Sequence, residues 1–162
     1  MYKIKRQMAN VATLTIKLHP LTASLCSDDP ISLYDESYNQ LNVEQMQLLG
    51  HGTPLYVTPV GESSDGFFLL TPEPMLGVLQ HHPAAKKLSI PLNVISGEQP
   101  DELEAMITTL NLTQPALQHR FQPLQSFSTL SQRVKRGQSL RVPLPTKTRL
   151  AQLAGRCNSN FK

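Results

Sequence analysis

The chain reads as an α+β protein: a small mixed sheet with packed helices, followed by a basic helical C-terminal region. Three observations predict this. Short apolar runs of period two alternate with segments of helical period, in the order β, α, β, β, α, β, α between residues 11 and 110. A chain of 162 residues that is 40% hydrophobic can bury roughly 70% of its surface, enough for a core without disulfides or metals. Charge is also segregated. The net value is only +3, yet residues 18–85 hold eight acids and no Lys or Arg, while residues 105–162 hold nine cations and no acid. Residues 1–17 add four cations without an acid, and residues 86–104 set two lysines against four acids. An acidic body with a basic tail is the pattern expected beside a polyanionic partner. The division is drawn at residues 1–112 and 113–162.

Val11–Leu18 alternates Ala12, Leu14, Ile16 and Leu18 against Val11, Thr13, Thr15 and Lys17, which predicts the first strand. Pro20–Pro30, rich in Ser, Thr and Asp, reads as a loop. Tyr34, Tyr38 and Leu41 have the spacing of a helical face. Asn42 with Gln45 forms a capping box for a helix burying Val43, Met46 and Leu49, and Gly50 fits its left-handed stop. Leu55–Val60 and Phe67–Leu70 flank the turn-rich Gly61–Gly66, a hairpin whose first strand ends or lies at an edge because of Pro59. Thr71 with Pro72 predicts the start of a short helix through Leu79, stopped by Pro83. Leu88, Ile90, Leu92 and Val94 share one face of a strand, which Pro91 assigns to an edge. Leu103, Met106, Ile107 and Leu110 mark the clearest helix, Pro100–Leu110, with Asp101, Glu102 and Glu104 near its positive end.

Beyond Asn111, Leu117, Phe121, Leu124, Phe127, Leu130 and Val134 recur at helical spacing around a break at Pro123. Arg133–Arg136 with Gly137 reads as a basic helix end and Ser139–Pro145 as a connector. Thr146 caps a final helix, with Leu150 and Leu153 inward and Gly155 ending it. No apolar run approaches the ~20 residues that span a bilayer. The basic start lacks the apolar stretch of a signal peptide. Cys26 and Cys157 fit no metal or redox spacing. The expectation is a cytoplasmic protein with reduced thiols.

The order of elements, with Thr53-Pro-Leu-Tyr-Val57, Phe67-Phe-Leu-Leu70 leading into Thr71-Pro-Glu-Pro-Met75, and Leu110-Asn-Leu-Thr-Gln114, resembles the N-terminal domain of ParB-type partition proteins, the fold shared with sulfiredoxin. The resemblance covers residues 11–135 and places these three segments at the proline-led strand, the arginine box and the E-N-x-x-R-like segment of that family. Pro74 and Met75 stand where its phosphate-binding arginines would be, Leu110 replaces an acid, and Cys is absent between residues 27 and 156. The resemblance therefore implies a repurposed, non-catalytic scaffold without cofactor. Thr146–Gly155 followed by Arg156–Lys162 looks like the start of the family's helix-turn-helix, with a turn at 155–158 and Ser159 capping a recognition helix. That helix would be about one turn long at Lys162.

The basic region carries the functional expectation: a DNA-binding accessory protein, of a plasmid or other mobile element, contacting phosphates through Arg133, Lys135, Arg136, Lys147, Arg149 and Arg156. Arg141 belongs to the same cluster. The competing account is an ordinary basic surface or a clamp on the acidic body. Aromatic residues do not interleave with these cations, which disfavours base stacking on single strands. His81-His82, His51 and Asp28-Asp29 are explained by a helix end and turns rather than by metal ligation. No phosphate-binding loop or nucleophile elbow is present. The two alternatives are a protein-interaction module, using an apolar surface near Phe67–Leu79, and a metal-dependent nuclease.

Overall fold

The computed structural model describes residues 1–27, 36–61, 66–97, 99–120, 127–140 and 144–154. Contacts divide the chain into two units, Met1–Gln114 and Pro115–Lys162. The first is a mixed five-stranded sheet with helices on both faces. Its strands are β1 (Lys3–Asn10), β2 (Ile16–Leu18), β3 (Leu55–Pro59), β4 (Phe67–Leu69) and β5 (Ser89–Ser96), in the spatial order β1-β5-β3-β4-β2. The β1–β5 and β3–β4 pairs are antiparallel, whereas β3–β5 and β2–β4 are parallel.

Alternation along the strands builds two cores. Leu55, Val57, Ile90, Leu92 and Leu69 face α2 (Val43–His51) and α3 (Pro74–His81), which contribute Met46, Leu76, Val78 and Leu79. On the opposite face, Ile95 and the adjoining Leu70 meet Leu21 of α1 (Pro20–Leu25) and Leu103, Met106 and Ile107 of α4 (Pro100–Thr108). Three layers thus bury both faces of β3 and β5, and most of the apolar residues expected inside are there.

The opening strand is displaced from its expected position. Asn10 ends β1 by accepting from the Ala12 amide through Oδ1 at 3.0 Å, and its own amide donates to the Lys86 carbonyl at 2.9 Å. This side-chain turn interrupts Val11–Leu18, so only Ile16–Leu18 remains a strand. The segment expected as a loop holds α1, started by His19, whose Nδ1 accepts from the Leu21 amide at 3.2 Å, with Pro20 in the first helical position. Tyr34 lies outside the described residues, and Tyr38 belongs to a 3-10 turn, Glu36–Gln40.

The Asn42–Gln45 capping box forms as expected, with reciprocal bonds of 2.8 and 3.0 Å. Gly50 does not stop the helix. It sits inside α2, where an added Cβ would come within 3.2 Å of the Ser89 carbonyl oxygen; its role is close approach to β5. Helix α2 closes instead at Gly52, whose φ of −78° is not left-handed. Three residues earlier on this face, Gln47 clasps the start of β5: its amide donates to Ser89 O at 2.9 Å and accepts from Ser89 N at 3.0 Å. Gln47→Ala removes both bonds at a half-buried site, and a cost of about 1–3 kcal/mol is expected. A lower urea midpoint with an unchanged m-value would register it.

The hairpin β3–β4 is present, and Gly61 adopts φ +68° at its turn, while residues 62–65 are outside the described set. Pro59 ends β3, but that strand is central rather than at an edge. Pro91 likewise lies on an internal strand. It pairs with Met8 of β1, and the β3 ladder begins one residue later at Leu92, so β5 has a single neighbour where the missing amide falls. Helix α3 is capped by Glu73 instead of Thr71, the Glu73 carboxylate accepting from the Met75 amide at 3.0 Å, with Pro74 in the first turn. Helix α4 runs into a π-helical turn, Thr109–Thr113, and then α5 (Gln114–Arg120).

In the second unit, α6 (Phe127–Ser139) and α7 (Lys147–Leu153) pack through Val134, Leu150 and Ala151. Gly137 is interior to α6 and does not end it. An added Cβ there would lie 2.7 Å from a Leu144 methyl, so the glycine admits the returning chain. Thr146 caps α7 as expected, accepting from the Arg149 amide at 3.2 Å. Phe121, Pro123 and Leu124 fall outside the described residues, as do Arg141 and the whole of 155–162.

Candidate nucleic-acid interface

Helix α6 buries Ser131, Val134 and Gly137, spaced three apart along one stripe. At about 100° per residue, the remaining arc points outward. Arg133, Lys135 and Arg136 occupy that arc and are exposed. Lys147 is exposed in the first turn of α7. Arg149, two residues on, is half-buried and holds an interaction of its own. The packing of Val134 against Ala151 and Leu150 ties the two helices into one body. Five of the six expected site residues therefore sit on two joined helices, whereas Arg156 lies outside the described residues. The unit has no Asp or Glu anywhere in its sequence, so its own carboxylates neutralise none of this charge. Such a surface is suited to an array of phosphates and offers no general acid or base pair.

A second group of cations was legible only as a count. Lys3, Lys5 and Arg6 lie on β1, which no sequence pattern identified as a strand. The signal available was the acid-free run of residues 1–17.

In two of the segments that carry the family resemblance, polar side chains bond the backbone. Glu73 caps α3. Asn111, in the π-helical turn, donates to the carbonyls of Leu70 and Ile107 at 2.7 and 2.8 Å, and Thr22 donates to the same Leu70 carbonyl at 2.9 Å. His82 is buried with both ring nitrogens engaged. Because the Ala84 amide can only donate, Nδ1 accepts from it at 3.1 Å and Nε2 carries the proton towards Leu41 O at 3.0 Å. His81 is exposed, its Nδ1 2.7 Å from Gly77 O. Among the described residues no group of three His, Cys, Asp or Glu could hold a metal ion, and Asp28 and Asp29 lie outside them.

The apolar segment expected as an interaction surface, Phe67–Leu79, is largely core. Leu69, Leu70, Leu76, Val78 and Leu79 are all buried. An open groove of about 340 Å³ beside it is lined by Ile16, Lys17, Val60, Phe67 and Phe68; among the described residues it holds one cation and no acid. Among the described residues no helix is long and apolar enough to cross a membrane.

No protein-family model matches the chain, and no curated protein matches it. Among solved structures, the chain is similar to the C-terminally truncated chromosome-partitioning protein ParB from Caulobacter crescentus complexed with CTP-gamma-S. The similarity covers 97% of this chain and 74% of that one, at 12% sequence identity and a TM-score of 0.47.

Proposed function

We propose that this chain is a non-catalytic, DNA-binding accessory protein of ParB-like type, serving the partition or maintenance of a plasmid or other mobile element. The α+β unit acts as the scaffold, and α6 with α7 supplies the phosphate contacts. The observation that carries this reading is the exposure of Arg133, Lys135, Arg136 and Lys147 on two packed helices of an acid-free unit. Cations held on a fixed body displace condensed counterions from a duplex, and that release drives association without reading sequence. The helix-turn-helix expected from the sequence belongs to this reading: α7 would be its first helix, and the rest of it falls on residues 155–162, outside the described residues.

Titration of the full chain against duplex DNA tests it. Four or five phosphate contacts give a slope of log K against log salt of about −4, so affinity should fall a few hundredfold between 50 and 200 mM salt. Absence of binding at 50 mM salt overturns the reading. Plasmid incubated with the protein and magnesium or manganese should stay uncut; cleavage would make it a nuclease.

A further inference from the structure

We propose that the outer edge of β1 is a docking edge for an acidic, extended segment of a partner protein, which adds to the sheet as a sixth strand. Strand β1 ends the spatial order and has β5 as its one neighbour among the described residues. Every second residue of such a strand turns its amide and carbonyl away from the sheet. Edge strands in folded proteins are commonly kept short, or are broken by proline or a bulge. This one has eight residues, no proline, and an unbroken register from Lys3↔Ser96 to Asn10↔Ser89. What protects it is charge: Lys5 and Arg6 are exposed, and residues 1–17 contain no acid.

That protection is selective. A second copy would bring cations against cations, which is unfavourable for directly opposed pairs. An acidic strand meets the opposite situation. Ile4 and Met8 are 49% and 53% exposed on one face of β1, with the exposed Arg6 between them, and Lys5 lies on the other face. An incoming strand with apolar residues beside Ile4 and Met8, a carboxylate beside Arg6 and carboxylates along the Lys5 face satisfies both faces while its backbone completes the ladder. A nucleic acid would use the cations and leave the apolar side chains and the backbone edge without a partner. The occupant is therefore an acidic peptide strand.

The test uses the full chain and a fluorescein-labelled octapeptide of glutamates with valines at its second and sixth positions, blocked at both ends, read by anisotropy. Saturable binding is expected, weakened at least tenfold by the pair Lys5→Glu and Arg6→Glu. Two peptides N-methylated at alternate positions probe the backbone in the unmodified protein: one set should abolish binding and the other should not. Absence of binding overturns the proposal, as does undiminished binding of both methylated peptides, which would leave charge attraction alone. Equal binding of a lysine–valine peptide also overturns it. If Lys5→Glu and Arg6→Glu abolish self-association of the chain, the occupant is a second copy. If they weaken duplex DNA binding as much as peptide binding, the edge belongs to nucleic acid.

Discussion

Replacing Arg133, Lys135, Arg136, Lys147 and Arg149 together with glutamine is expected to remove about four from the salt slope of duplex binding and to weaken it roughly a hundredfold or more at 50 mM salt. Ser131, Val134 and Gly137 form the buried stripe of α6, so cations at 133, 135 and 136 are held outward by the packing of the same helix. Glutamine keeps helix propensity and side-chain length, so the fold should survive at these mostly exposed positions. Single replacements should each lift the slope by about 0.9, uniformly across DNA sequences, because phosphate contacts carry no base information. Arg149 is the informative exception. It is half-buried and already engaged, so Arg149→Gln should change stability more and the slope less than Arg133→Gln. Lys5→Gln with Arg6→Gln on β1 should leave the slope unchanged, separating the two basic regions. A full slope in the quintuple variant, measured by anisotropy at four salt concentrations, would remove α6 and α7 from the interface.

Elements whose cause is local were legible in the sequence. The Asn42–Gln45 box needs only two side chains three residues apart, and it forms. The α4 stripe of Leu103, Met106 and Ile107 and the alternation of Ile90, Leu92 and Val94 report which face meets a partner layer, and both hold. Strand β1 was hidden because its residues are largely exposed on both faces, leaving no apolar alternation; its register comes from β5. Glycines misled for a related reason. Gly50 and Gly137 look like helix stops, yet each admits a residue further along the chain, Ser89 or Leu144. Pro91 suggested an edge strand, whereas only the local height of the β3 ladder decides whether its missing amide matters.

The candidate site divides along the same line. Composition identified the cations of residues 105–162, since charge needs no register to be counted. Their arrangement was not legible, because it depends on which residues α6 buries. Near Phe67–Leu79 the sequence offered an apolar surface; the sheet and α3 take most of these residues inside, and the groove beside Phe67 and Phe68 is what lies open. Glu73 and Asn111 lie in segments that carry the family resemblance, and their polar atoms serve a helix cap and the backbone.

The Leu70 carbonyl leaves β4 between the two halves of the α1–α4 layer and accepts from both the Thr22 hydroxyl, at 2.9 Å, and the Asn111 amide, at 2.7 Å. Thr22 is fully buried, so water is a poor substitute for either donor. Thr22→Val leaves the carbonyl with Asn111, and Asn111→Leu leaves it with Thr22, so each single change should cost about 1–3 kcal/mol. The double variant has neither donor, and a buried carbonyl without a partner carries its desolvation penalty in full. Its cost should exceed the sum of the singles by about 0.5–3 kcal/mol, the range found for side chains sharing one partner. Asn111 also donates to Ile107 O at 2.8 Å within the π-helical turn, so Asn111→Leu should be the costlier single change. Urea unfolding of the four proteins measures the cycle. Strict additivity would mean that the two donors act independently, and Leu70 would then not be the point at which the π-helical turn and α1 are joined to the sheet.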